Sequence, residues 1–521
     1  MKKIHYILLA AGSLFLASCN DFLTEEPESI ISEEQYYKTE TDALTAINAV
    51  YFFLNSGRIQ TPYNTLFNTG MNMGSDDEDP GPGATNPDVR SLAVQSHSSS
   101  NLRIYEIWQQ HYAAIRKANV VLDKIQGITF SIPATKDRIL GEAKFLRALF
   151  YFNLVRLYGD VPLITEYQNY VSSAEYAIPK SPSADVYAQI EKDLTEAASV
   201  LPGSYSSPDA GRATAGASKA LLAKVYLIKA SLPLKLTENY QKAIAKTEEV
   251  LSAADGGTGT YGYNLAGDYS RVFLPAFKNG TEHIFSAQMK ANSYSQGNNE
   301  ATRAIYPAIP GLNGTYAHMV RFYTEGNDKY FSIYKLFKPT DKRRNVTFVK
   351  SFTSPANGRK YGLALVNTTV PNDSTPFWNK WWDPNNQAVT TNSESNVPII
   401  RYAEILLIHA EAENEVNGPT AKAYKSINSI RTRAGLANLT PGLSKDQFRD
   451  SVYFERRLEL TYEYQRWFDL IREKDAGGRG ILIKSLQKVG KNNATEKHYL
   501  YPIPQTELDN NPLLKQNPLW E

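Results

Sequence analysis

Cysteine is almost absent from this chain, with Cys19 alone among 521 residues, and histidine occurs only seven times. With so few thiols and imidazoles, and no Gly-x-Ser-x-Gly turn, the sequence has little material for nucleophilic or zinc chemistry. No Gly-x-x-x-x-Gly-Lys-Ser/Thr loop is present to hold phosphates. We therefore expect no catalytic residues, no metal site and no cofactor.

Long apolar runs and an excess of charge are also missing. Beyond the N-terminus, no stretch approaches the roughly 18 consecutive apolar residues that indicate a membrane span. The 42% hydrophobic and 21% charged residues are typical of a globular protein. Lysine and arginine number 56 against 54 acidic residues, and cleavage before Cys19 would remove Lys2 and Lys3. A net charge near zero argues against nucleic acid as a partner.

The N-terminus has the three parts of an export signal, namely a charged start, an apolar run from Tyr6 to Leu16 and two small residues. The sequence Leu16-Ala17-Ser18-Cys19 resembles the bacterial lipobox, in which the thiol is acylated, as with palmitate, and the chain is cut just before it. A plain secretory signal with a chance cysteine is the alternative. We expect a lipoprotein signal peptide at 1–18, lipid attachment at Cys19 and an acylated, acidic spacer at 19–39.

Helical periodicity dominates two parts of the chain. Apolar residues recur every three or four positions in nine candidate helices. Their ranges are 41–55, 102–125, 136–157, 184–200, 217–230, 240–253, 400–416, 420–434 and 446–473. Helix pairs of about 34 residues are the tetratricopeptide pattern, which several spacings fit loosely. We expect a mainly α fold whose scaffold lies in 40–254 and 398–474.

Between these parts, residues 255–397 are rich in glycine, proline, asparagine and aromatic side chains. This composition predicts a loop-rich mixed insert with short strands near 283–288 and 345–352. Residues 475–521 are again without periodicity, and we expect an irregular C-terminal tail. Loops on a rigid scaffold commonly carry function, so the insert is the candidate ligand face.

Four stretches together resemble the SusD/RagB family of outer-membrane nutrient-binding lipoproteins from Bacteroidetes. The first is the lipobox and its acidic sequel to Pro27. The second contains Glu142-Ala143-Lys144-Phe145-Leu146-Arg147, and the third Arg401-Tyr402-Ala403-Glu404 with a later Arg431-Thr432-Arg433-Ala434-Gly435. The fourth contains Glu455-Arg456-Arg457, Arg466-Trp467-Phe468-Asp469 and the closing Tyr501-Pro502-Ile503-Pro504.

The resemblance implies a scaffold of tetratricopeptide-like helix pairs with a loop-rich insert, and no catalysis. It implies a lipid-anchored position on the outward face of the cell outer membrane. It also implies a partner, a TonB-dependent β-barrel transporter of the SusC type. The usual cargo of the family is oligosaccharide, and peptide-binding relatives exist. The expected function is therefore non-enzymatic glycan binding and delivery, with peptide cargo as the alternative.

The acidic helices leave a third, less favoured hypothesis, an exported glycoside hydrolase. Glu411 lies near His409, and Glu455, Glu459 and Glu463 recur every fourth residue. Glycosidases need two carboxylates about 5 to 10 Å apart. The same motifs are rich in arginine, however, and like charges four residues apart repel unless opposed. We expect structural ion pairs between packed helices.

A run of acidic residues at 76–79 raises the question of calcium, which prefers oxygen ligands. The run lacks the alternating spacing of an EF-hand loop. A solvated loop is the favoured interpretation.

A sugar-binding surface needs flat aromatic faces with amides and guanidinium groups nearby. Residues 63–101 and the insert contain such groups, and in the family these two regions converge on the ligand face. The candidate ligand-binding residues are Tyr63, Asn86, Arg90, Tyr294, Tyr306, Tyr316 and Trp378. For Trp381 and Trp382 we favour packing, and we expect Trp108 and Trp467 in the core.

Overall fold

A computed structural model describes residues 36–56, 59–167, 175, 177–291, 296–301, 303–305, 309–312, 314–362, 376–383 and 393–521. The signal peptide, Cys19 and most of the spacer lie outside the described residues. The fold is mainly helical, as predicted. In the part of the chain that the structure describes, every helix is too short or too polar to cross a membrane.

Among the residues that the structure describes, eight helices precede the insert. They are α1 (Glu40–Asn55), α2 (Phe67–Gly70), α3 (Pro87–Ala93), α4 (Leu102–Lys124), α5 (Pro133–Tyr158), α6 (Ser183–Val200), α7 (Ala215–Ala230) and α8 (Asn239–Glu248). A π-helical turn, Pro62–Leu66, leads into α2. The six long helices confirm the predicted periodicity, whereas α2 and α3 were not predicted because each is too short to show a period.

Seven helices follow in the described ranges. They are α9 (Arg344–Thr347) within the insert, then α10 (Tyr402–Asn417), α11 (Ala421–Arg433), α12 (Lys445–Glu459), α13 (Arg466–Arg472), α14 (Leu482–Lys488) and α15 (Gln505–Asn510). Successive long helices pack on one another, α5 on α6, α7 on α8 and α10 on α11. This arrangement is consistent with tetratricopeptide-like pairs. The domain boundaries stay predictions, because helix limits alone do not define domains.

Helix ends follow the local sequence. Thr39 caps α1 in a capping box with Asp42, and Asn101 caps α4 by accepting hydrogen bonds from two backbone amides. Helix α5 ends at Gly159, whose φ of 72° suits a residue without a side chain. The helix predicted at 240–253 ends at Glu248. The Glu248 carbonyl accepts a hydrogen bond from the Thr258 amide at 2.7 Å, in place of the amide of a next helical turn.

The prediction of a single helix at 446–473 is wrong, since α12 ends at Glu459 and α13 begins at Arg466. Tyr462 and Tyr464 between them have φ of 63° and 61°. Carbonyls at the break accept side-chain donors in place of helical amides. The Tyr269 hydroxyl donates to the Glu459 carbonyl at 2.8 Å, and Trp381 Nε1 donates to the Tyr462 carbonyl at 3.1 Å.

The strands are short and form two-stranded antiparallel sheets. They are β1 (Glu78–Pro80), β2 (His283–Ala287), β3 (His318–Val320), β4 (Tyr323–Glu325), β5 (Asp328–Phe331), β6 (Phe348–Val349), β7 (Ser351–Thr353), β8 (Lys360–Gly362), β9 (Phe377–Trp378) and β10 (Val397–Arg401). The pairs are β1 with β3, β2 with β10, β4 with β5, β6 with β9 and β7 with β8. The strand predicted at 283–288 is confirmed, whereas 345–352 contains the end of α9 and two separate strands.

The C-terminal tail is more ordered than predicted. Besides α14 and α15 it contains a 3₁₀ turn at Glu496–Tyr499. The tail is held along the end of α5, where the Tyr501 amide donates to the Leu157 carbonyl at 2.7 Å and Asn517 Nδ2 to the Tyr158 carbonyl at 2.8 Å. These contacts are distant in sequence, so no local period could reveal them.

One large hydrophobic core joins the helices, and Trp108 and Trp467 belong to it as predicted. A second, small core lies under the insert. Its buried members are Ile305, Ile309, Leu312, Tyr316, Phe352 and Phe377. The insert thus contributes to both cores, since Phe285 and Trp378 belong to the large one and Phe352 and Phe377 to the small one.

Candidate ligand-binding face

The two loop regions that were expected to supply ligand contacts meet along one antiparallel seam. Strand β1 pairs with β3, with Glu78 opposite Val320. Beyond the strands the pairing continues, as the Gly81 amide donates to the Ala317 carbonyl at 2.8 Å and the Gly83 amide to the Tyr316 carbonyl at 3.0 Å. The loop of residues 81–86 is therefore fixed to the insert by its backbone.

Glycine is required at two places in this seam. A Cβ at Gly81 would lie 2.1 Å from the Tyr316 carbonyl oxygen, and one at Gly83 only 1.7 Å from that of Thr315. Neither distance is tolerable, and backbone atoms cannot swing aside as a side chain can. The close approach of the two loops thus depends on the missing side chains.

Asn86 and Arg90 stand at the outer end of the seam. The Asn86 side-chain oxygen caps α3 by accepting from the Asp88 amide at 2.8 Å, and Pro87 occupies the first helical position. One turn later, Arg90 is exposed and donates from Nη2 to the Gly81 carbonyl at 3.2 Å. Asp79 and Asp77 of the acidic run pair with Arg321 and Arg457, and no ion pair joins Arg90 to a described residue. Its guanidinium is thus positioned beside the seam with donors free for a ligand.

Tyr316 supports the seam from below. Its φ of 45° is rare for a residue with a side chain. The Tyr316 amide donates to the Ile305 carbonyl at 2.7 Å, and its ring packs edge-on against Phe377 at 5.6 Å. The ring is 6% exposed, so in this structure Tyr316 contributes its backbone to the seam and its ring to the small core.

Trp378 and Tyr63 lie in the interior. Trp378 is 2% exposed, with its ring stacked between Tyr462 at 4.6 Å and Phe348 at 5.1 Å. Tyr63 lines the main core and its hydroxyl accepts from Asn153 Nδ2 at 3.2 Å. A buried ring offers no surface on which a sugar can stack. In this structure neither Trp378 nor Tyr63 therefore provides an exposed aromatic face. Tyr294 and Tyr306 lie outside the described residues.

Trp381 and Trp382 both pack against other rings, as expected, but to different depths. Trp381 is buried and packs against Phe273, as expected. Trp382, in contrast, is half-buried and covers the outer side of the small core, with its ring 5.4 Å from Phe352. Phe352 contacts Phe377, which contacts Tyr316 under the seam. Three ring contacts therefore connect Trp382 with the seam.

The acidic run below the seam is not a solvated loop. Asp76 and Asp77 are about as buried as core residues, at 4% and 5% exposure. Arg466 binds both carboxylate oxygens of Asp76 at 2.8 Å, and Arg457 pairs with Asp77. Burial acts to raise the pKa of Asp76, but the two arginines outweigh it and hold that pKa below its ordinary value. Arginines thus occupy the carboxylate oxygens of Asp76 and Asp77 that a calcium ion at this run would need.

The glutamates of the hydrolase hypothesis are likewise buried and paired. Glu459 is fully buried, and Arg343 Nη1 lies 2.9 Å from one of its oxygens. Glu411 is 1% exposed and pairs with Arg472 at 2.6 Å. The predicted ion pairs between helices are confirmed. Among the described residues, no group of three acidic, histidine or cysteine side chains is arranged to hold a metal ion.

Known protein families match this chain in sequence. Residues 281–520 match the sequence profile of the SusD family, and residues 21–227 match a second profile described as starch-binding associating with outer membrane. The two matches together account for most of the chain. The chain belongs to the SusD/RagB family.

Relatives of this SusD-family chain match it almost end to end. SusD-like protein P25 of Formosa agariphila is 27% identical, covering 99% of this chain and 98% of its own length. The starch-binding protein SusD of Bacteroides thetaiotaomicron is 24% identical, over 83% of this chain and 81% of its own. The solved structure of a laminarin binding SusD-like protein is 27% identical, with a TM-score of 0.73 over 93% of this chain and 100% of its own.

Two of the motifs that carry the family resemblance form ion pairs within the scaffold. Arg147 binds both oxygens of Asp193 on α6 at 2.7 and 2.8 Å. Arg401, at the start of α10, pairs with Glu282 and Glu463 at 2.7 Å each. These residues hold parts of the scaffold together. They are therefore characteristic of the fold and carry no information about the ligand.

Proposed function

We propose that this chain is a non-enzymatic cell-surface protein that binds glycan and passes it to a partner transporter. The relatives described as starch-binding and laminarin binding support glycan as the cargo class. The observation that carries the proposal is the exposed, unpaired guanidinium of Arg90, held beside the backbone seam of the two loop regions.

The proposed contacts combine polar and aromatic groups. Arg90 and the amide nitrogen of Asn86 would donate to sugar hydroxyls. The half-buried ring of Trp382 would stack on the apolar side of a pyranose. Tyr294 and Tyr306 remain predicted contacts. Tyr63, Tyr316 and Trp378 take supporting positions in the two cores.

The absence of catalysis is part of the proposal. A glycosidase needs one protonated carboxyl as general acid. Burial acts to raise the pKa of Glu459, yet Arg433, Arg401 and Arg343 outweigh it and hold that pKa well below its ordinary value. A carboxylate that is ionised, buried and bound to arginines cannot protonate a leaving group at the surface.

The location and the partner rest on the family and on the N-terminal sequence. We propose that Cys19 carries the lipid, and that the chain faces outward on the outer membrane. The description of the second family profile, with its outer-membrane association, supports the location. A SusC-type TonB-dependent transporter is the proposed recipient of the glycan.

Isothermal titration calorimetry tests which class of ligand the protein binds. The wild-type protein is titrated with oligosaccharides derived from starch and from laminarin, and separately with a tryptic peptide mixture. We expect glycan binding that Arg90→Ala weakens by about 1 to 3 kcal/mol. Arg116→Ala is the matched control, since Arg116 is also exposed and lies on α4 about 22 Å along the helix from Asn101. Binding of peptides and of no glycan would replace glycan by peptide as the cargo.

A further inference from the structure

A cavity of about 390 Å³ lies where the end of α5, the start of α6 and the C-terminal tail come together. Its size is within the range of small-molecule sites, roughly 300 to 1,000 Å³. The walls are mainly apolar. They include Val155, Tyr187, Ile228, Leu234, Phe468 and Leu500. None of the candidate ligand residues of the seam lines this cavity.

Arg156 lies in the cavity wall without an anionic partner. Its guanidinium is sandwiched between the rings of Phe468 and Phe152, 3.6 and 4.0 Å from their centroids. Arg156 Nε donates to the Phe152 carbonyl at 3.1 Å and Nη2 to Asn153 Oδ1 at 2.6 Å. Nη1 is buried and has no hydrogen-bond partner, and no ion pair joins Arg156 to any residue in the described ranges.

A buried cation without a directly paired carboxylate is costly. Glu404 and Asp469 act on Arg156 electrostatically, but neither forms an ion pair with it. The side chain is 9% exposed. Burial lowers the pKa of Arg156 to about 10, so the guanidinium is still protonated at neutral pH. The cation–π contacts offset part of the cost of burial. They leave the Nη1 donor unsatisfied.

Two further cations lie in the wall, and one of them is already paired with carboxylates. Arg472 Nη2 also lacks a hydrogen-bond partner, although its other nitrogens pair with Glu411 and Asp469. Lys180 donates to Asn517 Oδ1 at 3.0 Å. Asp160 is the one acidic side chain among the lining residues that the structure describes. Three cations and one anion line an otherwise apolar space.

We propose that this cavity binds a small aliphatic carboxylate, with its hydrocarbon body against the apolar walls and its carboxylate paired with Arg156. An apolar body matches the walls, which offer few groups to the many hydroxyls of a sugar. A carboxylate would balance the charge of the Arg156 guanidinium, which has no ion pair of its own, and arginine pairs with carboxylates especially well. The site is independent of the seam and of the proposed glycan binding.

Titration calorimetry with octanoate tests this site. We expect one octanoate per chain, and binding at least about tenfold weaker for 1-octanol, which lacks the charge, and for acetate, which lacks the chain. Arg156→Met should weaken octanoate binding by about tenfold or more, because a hydrogen bond to a charged group is lost. Equal affinity for octanoate and 1-octanol would overturn the proposal.

A second variant tests the site without altering the buried arginine. Ser183 is half-buried in the cavity wall at the first residue of α6. We expect Ser183→Phe to fill the opening and abolish octanoate binding, whereas Ser183→Ala binds as the wild type does. Octanoate binding by Ser183→Phe at wild-type affinity, or no binding by the wild type at millimolar octanoate, would refute the site.

Discussion

Arg401 donates from Nη2 to the backbone carbonyl of Glu459 at 2.7 Å, at the residue where α12 ends. The same guanidinium pairs with the Glu463 carboxylate at 2.7 Å. One side chain thus takes the place of a helical amide and joins the start of α10 to the turn before α13. The break in the predicted helix is therefore stabilised in part by a residue about sixty positions earlier in the chain.

Removing this side chain should destabilise the scaffold strongly. Arg401→Met leaves Glu459, Glu463 and Glu282 with fewer opposing charges in a buried site. We expect the free energy of unfolding to fall by about 3 to 5 kcal/mol, the usual effect of breaking a buried ion pair. Urea denaturation measures it. The control is Arg116→Ala, which removes only an exposed cation–π contact with Tyr167 and should change the free energy of unfolding by less than about 1 kcal/mol. A loss below 1 kcal/mol in Arg401→Met would contradict the assigned role.

Stability should depend on pH through a buried histidine. His111 is fully buried in α4, and burial lowers its pKa to about 4, against an ordinary value near 6.5. The unfolded chain therefore binds a proton between these pH values that the folded chain does not. The stability from this group is present above pH 6.5 and is lost as the pH falls toward 4.

The variant His111→Gln isolates that contribution. Between pH 6.5 and 4, the free energy of unfolding of the wild type should fall relative to the variant by about 1.4 kcal/mol per pH unit. Denaturation curves at half-unit pH intervals measure the difference. Parallel pH profiles for the two proteins would show that His111 is protonated equally in both states.

The seam leaves no room for a side chain at residue 83. Gly83→Ala places a methyl group against the Thr315 carbonyl and should destabilise the loop by about 1 to 3 kcal/mol. Amide hydrogen exchange in residues 78–86 should accelerate. Gly267→Ala is the matched control, because Gly267 has no neighbour within 4 Å of its added Cβ and its φ is not in the left-handed region. Unchanged exchange in Gly83→Ala would show that the two loops can separate without cost.

The two tryptophans should respond in opposite ways. Trp378→Ala removes a ring stacked in the interior and should cost about 3 to 5 kcal/mol of stability. Trp382→Ala should cost less stability and weaken binding of starch- or laminarin-derived oligosaccharides by about 1 to 3 kcal/mol. Thermal unfolding and calorimetry on both variants separate the two effects. Full glycan affinity in Trp382→Ala would remove this ring from the proposed face.

Much of the scaffold could be predicted because its information is local. Helices α4 and α5 repeat apolar residues at helical spacing and end at recognisable caps such as Asn101 and Gly159. The fold class and the pairing of helical glutamates with arginines follow from such patterns. The ligand face could be located only as two regions, since the exposure of a ring depends on which residues pack against it.

The sequence by itself determined the helical scaffold, the loop-rich insert and the family. Periodicity and capping depend on residues a few positions apart, and the order of the motifs can be read directly from the sequence. Tertiary structure alone decided which aromatic rings are covered. Trp378 and Trp382 are four residues apart, yet one is enclosed by Tyr462 and Phe348 and the other remains half-buried. It also decided that Asp76 is an arginine partner and that Arg156 lies beside an apolar cavity. These properties arise from contacts between distant residues, and neighbours in sequence do not reveal them.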